Sequence, residues 1–280
     1  MKILVIAASG FLGGRVFREL VRRGHTVSGT CLSGKAFSRF DVTDRESCRR
    51  SLDRGHFDSV VNLAGRGVTA GSASESEMHR VNYEGATAFG EAMAETKEPP
   101  WLVHAASSTE PKDTHAPESV YSASKAAGTQ MLVNLLDGAR IPFSLARIHN
   151  TYGPLQPGGR FVMGVIRNLL AHEEVHVRHP MRVRDFCYVD DVVHHLADLA
   201  ETTHSSSVVS EIGTGKGTSL GDLVQIVRCR VGASANLMVA PVTRGVDPNE
   251  YQVADSESPD FLRCRTSLED GIDKTLRSLS

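Results

Sequence analysis

The strongest constraint lies in the first twenty-three residues. Lys2–Ala8 is a short β-rich apolar run, Ser9-Gly10 breaks it, and Phe11–Arg23 continues with Leu12, Val16, Leu20 and Val21 at helical spacing before Gly24. The same alternation recurs. Strand-like runs at Thr26–Thr30, Phe40–Val42, Ser59–Ala64 and Trp101–Ala106 are separated by helical patterns at Arg45–Leu52 and Asn82–Glu95. Ile141–Ile148 and Ser207–Ile212 offer two further strands. Strand–helix alternation predicts an α/β fold with a parallel sheet covered on both faces. Within 280 residues that leaves room for one large domain and a smaller lobe.

Composition narrows the functional classes. Thirty-one basic against 33 acidic residues give a formal charge of −2, so no general electrostatic attraction to nucleic acid or anionic membrane is expected. No apolar run approaches the roughly 20 residues of a spanning helix. The opening MKILVIAAS reads as a strand and not as a signal peptide. Cys31, Cys48, Cys187, Cys229 and Cys264 are odd in number and scattered, the pattern of reduced thiols in a cytoplasmic protein without a zinc site. No metal site is expected.

Ala7-Ala8-Ser9-Gly10-Phe11-Leu12-Gly13 sits where the first strand yields to the first helix. Such a turn aims backbone N–H groups and a helix N-terminus at a dinucleotide pyrophosphate. Gly10 would let phosphate approach the backbone, and Gly13 would allow close helix–sheet packing. Ala7 stands where a first glycine is usual; a positive φ there would cost on the order of 1 kcal/mol. After the second strand no acid appears before Asp41 to hold an adenosine ribose. Thr30, Ser33 and Lys35 could accept a 2′-phosphate instead, which leans toward NADP over NAD, although Lys35 reads equally well as a solvated loop lysine.

Tyr121 and Lys125 stand four residues apart in YSASK, on one face of a helix. A lysine ammonium favours phenolate and brings a tyrosine toward the working range of an acid–base group. Ser107, Ser108 and Thr109 follow the fifth strand at the carboxyl end of the sheet, where a hydroxyl could polarise a carbonyl. Glu110–Glu118 reads as an exposed loop.

Together with DVTD (Asp41–Asp44), VNLAG (Val61–Gly65), VNYEG (Val81–Gly85), RIHNTYGP (Arg147–Pro154), RDFCYVDD (Arg184–Asp191) and TRGVD (Thr243–Asp247), these segments resemble the extended short-chain dehydrogenase/reductase family of NAD(P)-dependent nucleotide-sugar epimerases, dehydratases and reductases. The resemblance implies a doubly wound Rossmann domain over residues 1–154 and 184–214, with a smaller substrate-binding lobe over 155–183 and 215–280. It implies Tyr121 as general acid–base, Lys125 on the nicotinamide ribose, and Ser107 as the catalytic hydroxyl with Ser108 as the other choice. It further implies cofactor contacts from Ala7, Ser9, Gly10, Phe11, Leu12, Asp41, Val42, Leu63, Ala64, Gly65, Asn82 and Ile148. Asn150, Arg184 and Arg244 would hold a nucleotide-sugar diphosphate. Two departures matter. Glu110-Pro111-Lys112 replaces the usual VYG, and Ser108 and Thr109 stand where 4,6-dehydratases carry Asp-Glu, which argues against dehydration. The expectation is keto-sugar reduction with NADP or NAD, with a tightly NAD-bound epimerase, a reductase of non-sugar carbonyls and a catalytically silent dinucleotide-binding regulator as alternatives. Ala126-Ala127-Gly128 offers small residues for homodimer packing.

Overall fold

The structure is a computed structural model that describes residues 1–67, 71–111, 116–157, 159–202, 204–232, 237–239 and 251–279. It divides into two compact units, Met1–Arg147 with Val193–Ser210, and Ile148–Val192 with Glu211–Ser280.

The first unit is a parallel sheet with helices on its faces. Its strands are β1 (Lys2–Ile6), β2 (Thr26–Cys31), β3 (Ser38–Arg39), β4 (Ser59–Asn62), β5 (Trp101–Ser107), β6 (Phe143–Ile148) and β11 (Val208–Gly213). They are ordered β11-β6-β5-β4-β1-β2-β3. The order reverses direction between β1 and β4, the switch point at whose carboxyl ends open α/β sheets bind ligands. Helices α2 (Arg45–Gly55), α4 (Gly85–Glu95) and α5 (Val120–Gly138) cover one face. There Leu4, Ile6, Val60 and Leu102 of the sheet pack with Leu52, Phe89, Met93, Leu132 and Leu136 in one buried cluster. Each such side chain contributes about 1.5–3 kcal/mol on leaving water. Helix α1 (Gly13–Arg22) is tied to α7 (Val189–Glu201) by Arg23, which donates to Asp198 and Glu201 at 2.7 Å. Trp101 on β5 donates its indole N–H to the Leu199 carbonyl at 3.0 Å.

Three local expectations are corrected. The third strand is Ser38–Arg39, paired with Thr30 and Cys31, and not Phe40–Val42. Phe40 and Val42 are buried because the loop after β3 turns them into the apolar cluster. The helix expected at Asn82–Glu95 begins at Glu75. Ser74 closes a capping box with Glu77 over α3 (Glu75–Met78), and a π-helical turn over His79–Glu84 leads into α4. A π turn carries one extra residue, so it interrupts the 3.6-residue periodicity that marks a helix in sequence. Finally, Glu110 is not exposed: its residue is only 4% accessible.

The second unit holds helix α6 (Phe161–Leu170) and shorter pairings, among them β8 (Val175–Val177) with β13 (Leu237–Val239). Beyond Ser210 the end of β11 pairs in parallel with β15 (Phe261–Arg263). The strand β7 (Asn150–Tyr152) pairs with β10 (Phe186–Tyr188), and β9 (Val183–Arg184) lies between β12 (Thr218–Ser219) and β14 (Tyr251–Gln252). Fully buried Asp185 organises this unit, accepting from the Thr214 and Gly215 N–H groups at 3.0 and 2.9 Å and from the Thr214 hydroxyl at 2.5 Å.

Candidate active site

Ala7 takes a φ of +62°, the strained conformation expected of the first turn position. Its carbonyl accepts the Gly10 N–H at 2.9 Å. A Cβ on Gly13 would lie 2.1 Å from that carbonyl oxygen, so only glycine lets α1 start this close to β1. Leu12 caps α1 with no side-chain hydrogen bond, which leaves the helix entrance without an internal acceptor of that kind. Ser9 and Gly10 are exposed, with Phe11 and Leu12 half-buried. This turn fits a dinucleotide phosphate.

Around the second strand, Thr30 is buried and its hydroxyl has no hydrogen-bond partner, whereas Ser33 and Lys35 are exposed. Asp41 is already engaged: Oδ1 accepts from the Thr43 N–H and hydroxyl at 3.0 and 2.8 Å, and Arg80 stands 3.6 Å from Oδ2. Against the opposing effect of burial, these donors hold its carboxyl below the usual aspartate range. Val42 is buried.

Where β4 ends, the chain leaves the sheet because Asn62 Oδ1 accepts the Ala64 N–H at 3.1 Å. Leu63 and Ala64 are half-buried and Gly65 exposed. Asn82, inside the π turn, pins the next residue of that loop. Its Oδ1 accepts the Arg66 N–H at 2.8 Å, and its Nδ2 donates to Arg66 O and Ser124 Oγ at 2.9 Å. Gly128 makes this possible, since a Cβ there would meet Asn82 O at 1.9 Å. The glycine expected at a subunit contact is therefore used inside the chain.

Ser119 caps α5 through the Ser122 N–H at 3.1 Å, placing Tyr121 in the first turn and Lys125 one turn on. Lys125 is 5% exposed and donates its Nζ to the Ala105 carbonyl at 2.8 Å. Burial lowers its ammonium below the ordinary lysine range, and the charge of Glu110 opposes that shift. Ser107 ends the same strand, with Oγ 2.9 Å from Thr109 Oγ1 and accepting the Thr109 N–H at 3.2 Å. Ser107 and, through its bond to Ala105 O, Lys125 thus lie at the carboxyl end of β5, Tyr121 stands one turn before Lys125 on α5, and Ser108 lies in the turn after β5, half-buried.

Sequence reasoning missed three neighbours. Glu110 folds back so that Oε1 accepts the Ser107 N–H at 2.7 Å. Arg147 donates to the Ser107 and Glu110 carbonyls at 3.2 and 2.7 Å. His104 is buried with neither ring nitrogen partnered, and burial together with the Lys125 charge keeps it neutral. Nothing in the local pattern marks a Glu beside Pro-Lys-Asp as buried.

Ile148, Asn150 and Arg184 belong to the second unit. Asn150 Nδ2 is buried without a partner, and Arg184 Nη1 donates to Val183 O at 2.9 Å. Arg244 lies outside the described residues. No group of three or more potential metal ligands occurs among the described residues.

The fold and the turn at Ala7–Gly13 define a Rossmann-like α/β protein of the doubly wound class. Residues 3–212 match the model of the NAD dependent epimerase/dehydratase family, and the chain belongs to that family of enzymes. Among curated relatives it is 26% identical to dTDP-6-deoxy-L-talose 4-dehydrogenase (NAD(P)(+)) of Kitasatospora kifunensis, over 91% of this chain and 87% of the relative. It is 23% identical to UDP-glucuronate 4-epimerase 2 of Arabidopsis thaliana, over 99% and 75%. The fold is similar to that of UDP-glucose 4-epimerase from Thermotoga maritima, with a TM-score of 0.84 at 23% identity and coverage of 100% and 98%.

Proposed function

We propose that the protein is an NAD(P)-dependent oxidoreductase acting on a nucleotide-activated sugar, and that its reaction is reduction of a keto-sugar. The observation that carries this reading is the buried Lys125 ammonium on Ala105 O, one turn from Tyr121 and two strand positions from Ser107. When bound, the nicotinamide supplies two-electron chemistry at the carbonyl carbon. Tyr121 gives a proton to the carbonyl oxygen, Ser107 Oγ donates a hydrogen bond to that oxygen, and Lys125 keeps the phenol acidic by its charge. Ala7, Ser9, Gly10, Phe11 and Leu12 hold the pyrophosphate, and Asp41, Val42, Leu63, Ala64, Gly65, Asn82 and Ile148 line the rest of the cofactor.

The exposed Ser33 and Lys35 and the absence of an acid at the end of β2 support NADP, with Thr30 contributing from beneath. Asn150, Arg184 and Arg244 are assigned to the substrate diphosphate, since guanidinium forks suit phosphate oxygens. Residues 1–154 and 184–214 are accordingly assigned to the dinucleotide, and 155–183 with 215–280 to the substrate. The dehydrogenase relative, whose name carries both NAD and NADP, supports the reductase direction. A cytoplasmic location accords with five free cysteines. Homodimerisation through α5 is retained as part of the proposal, resting on Ala126 and Ala127.

An epimerase that retains NAD is the second reading, favoured by the likeness to UDP-glucuronate 4-epimerase over nearly the whole chain. The test is NADPH oxidation with dTDP- and UDP-linked keto-hexoses by the parent and Tyr121→Phe. Loss of about 10²–10⁴ in turnover with unchanged NADPH affinity is expected. Equal turnover in the variant contradicts the assignment.

A further inference from the structure

The end of β5 carries a charge pair. Trp101 donates its backbone N–H to Asp58 O at 3.0 Å, so the backbone groups of Trp101, Val103, Ala105 and Ser107 face the β4 edge. The last paired residues on that edge are Asn62 and His104, after which Asn62 turns the Ala64 N–H aside. In a parallel ladder one residue opposite would donate to the carbonyl of residue 105 and accept from the N–H of residue 107. Here Lys125 Nζ makes the first bond at 2.8 Å and Glu110 Oε1 the second at 2.7 Å. An ammonium and a carboxylate, both on buried residues, therefore take the places of the two halves of one missing backbone residue.

We propose that Glu110 is a positioning residue of this site, whose carboxylate holds the Ser107 backbone in place and serves as the counter-charge that keeps buried Lys125 an ammonium. The proposal rests on the acid–base reading of Tyr121 and Lys125. A carboxylate at this point offsets part of the cost of burying an unpaired charge. Arg147 holds the turn by its two carbonyl bonds and adds a second positive charge from β6. Of the charged and titratable groups nearby, Lys125 on α5 feels the Glu110 charge, His104 on β5 feels that of Lys125, and Arg147 on β6 bonds the Glu110 carbonyl.

The charge role separates from a merely structural one through Lys125 itself. Glu110→Gln keeps an oxygen for the Ser107 N–H but removes the negative charge, so every neighbouring group loses protons more easily. The experiment is an NMR titration of protein labelled with ¹³C at lysine Cε and saturated with NADP⁺, Lys125 being the signal lost in Lys125→Met. In Glu110→Gln the Lys125 midpoint is expected to fall by about one pH unit, whereas Glu110→Asp stays close to the parent. An unchanged midpoint in Glu110→Gln overturns the proposal. A fall in Glu110→Gln together with equal turnover of Tyr121→Phe supports the charge role and instead removes the acid–base reading. Should Glu110→Gln not fold, the double variant with Lys125→Met restores neutrality and is expected to recover folding. A double variant no more stable than the single one also overturns the pair.

Discussion

Gly13 has no room for a side chain, and that single position joins packing to cofactor binding. An alanine there would push its Cβ to 2.1 Å from the Ala7 carbonyl, which is backbone and cannot swing away. Gly13→Ala is expected to cost about 1–3 kcal/mol of stability as α1 moves off β1. Because the same movement withdraws the helix N-terminus, NADPH affinity should fall at least about tenfold. Fluorescence titration with NADPH beside urea unfolding measures both, and unaltered affinity contradicts the phosphate role of the turn. The close packing at Gly13 was legible from spacing, whereas the positive φ of Ala7 was raised only as a condition, since a strand, a turn and an amphipathic helix do not by themselves fix that angle. Glu110 was not legible. Its burial follows from a backbone reversal that brings it three residues back to Ser107, and composition around it points to solvent.

Elements show the same division. Strands β1, β4 and β5 follow from largely apolar runs, because a strand buried on both faces needs apolar residues along most of its length, whereas Ser144 interrupts β6 and Ser210-Glu211 interrupt β11. Two-residue β3 follows from no such run, since it exists only through pairing with Thr30 and Cys31. The contact between α1 and α7 also lies beyond local pattern. Glu19 accepts from Arg22 at 2.8 and 2.7 Å and from Arg23 at 2.8 Å, and Arg23 reaches across to Asp198 and Glu201. The Arg22 bond, with help from Arg23 and His194 and against burial, holds the Glu19 carboxyl down at about 2. A depressed carboxylate stabilises the fold above its unfolded value of 4.5, and that contribution is lost as pH falls from there through about 2. Arg22 is 70% exposed, so solvent screening reduces the effect. Glu19→Gln is expected to lower stability by about 1–2 kcal/mol at pH 7, with parent and variant converging near the acid end. Thermal unfolding from pH 7 downward checks this; a gap that persists at acid pH contradicts it.

At the scale of the whole molecule, the family match ends at residue 212, while the second unit continues to the end of the chain. The dinucleotide turn and the Tyr–Lys pair lie inside the matched stretch, and Arg244 lies beyond it. Cofactor chemistry was therefore the more legible half of the function, and sugar recognition the less legible. No helix among the described residues is long and apolar enough to cross a membrane. The proposed exchangeable NADP-dependent reductase is tested by native mass spectrometry of the purified protein mixed with equal NADP⁺ and NAD⁺. One dinucleotide per chain is expected, with the mass of NADP⁺ predominating. NAD⁺ that stays bound from isolation and does not exchange, or protein that carries neither dinucleotide, contradicts it.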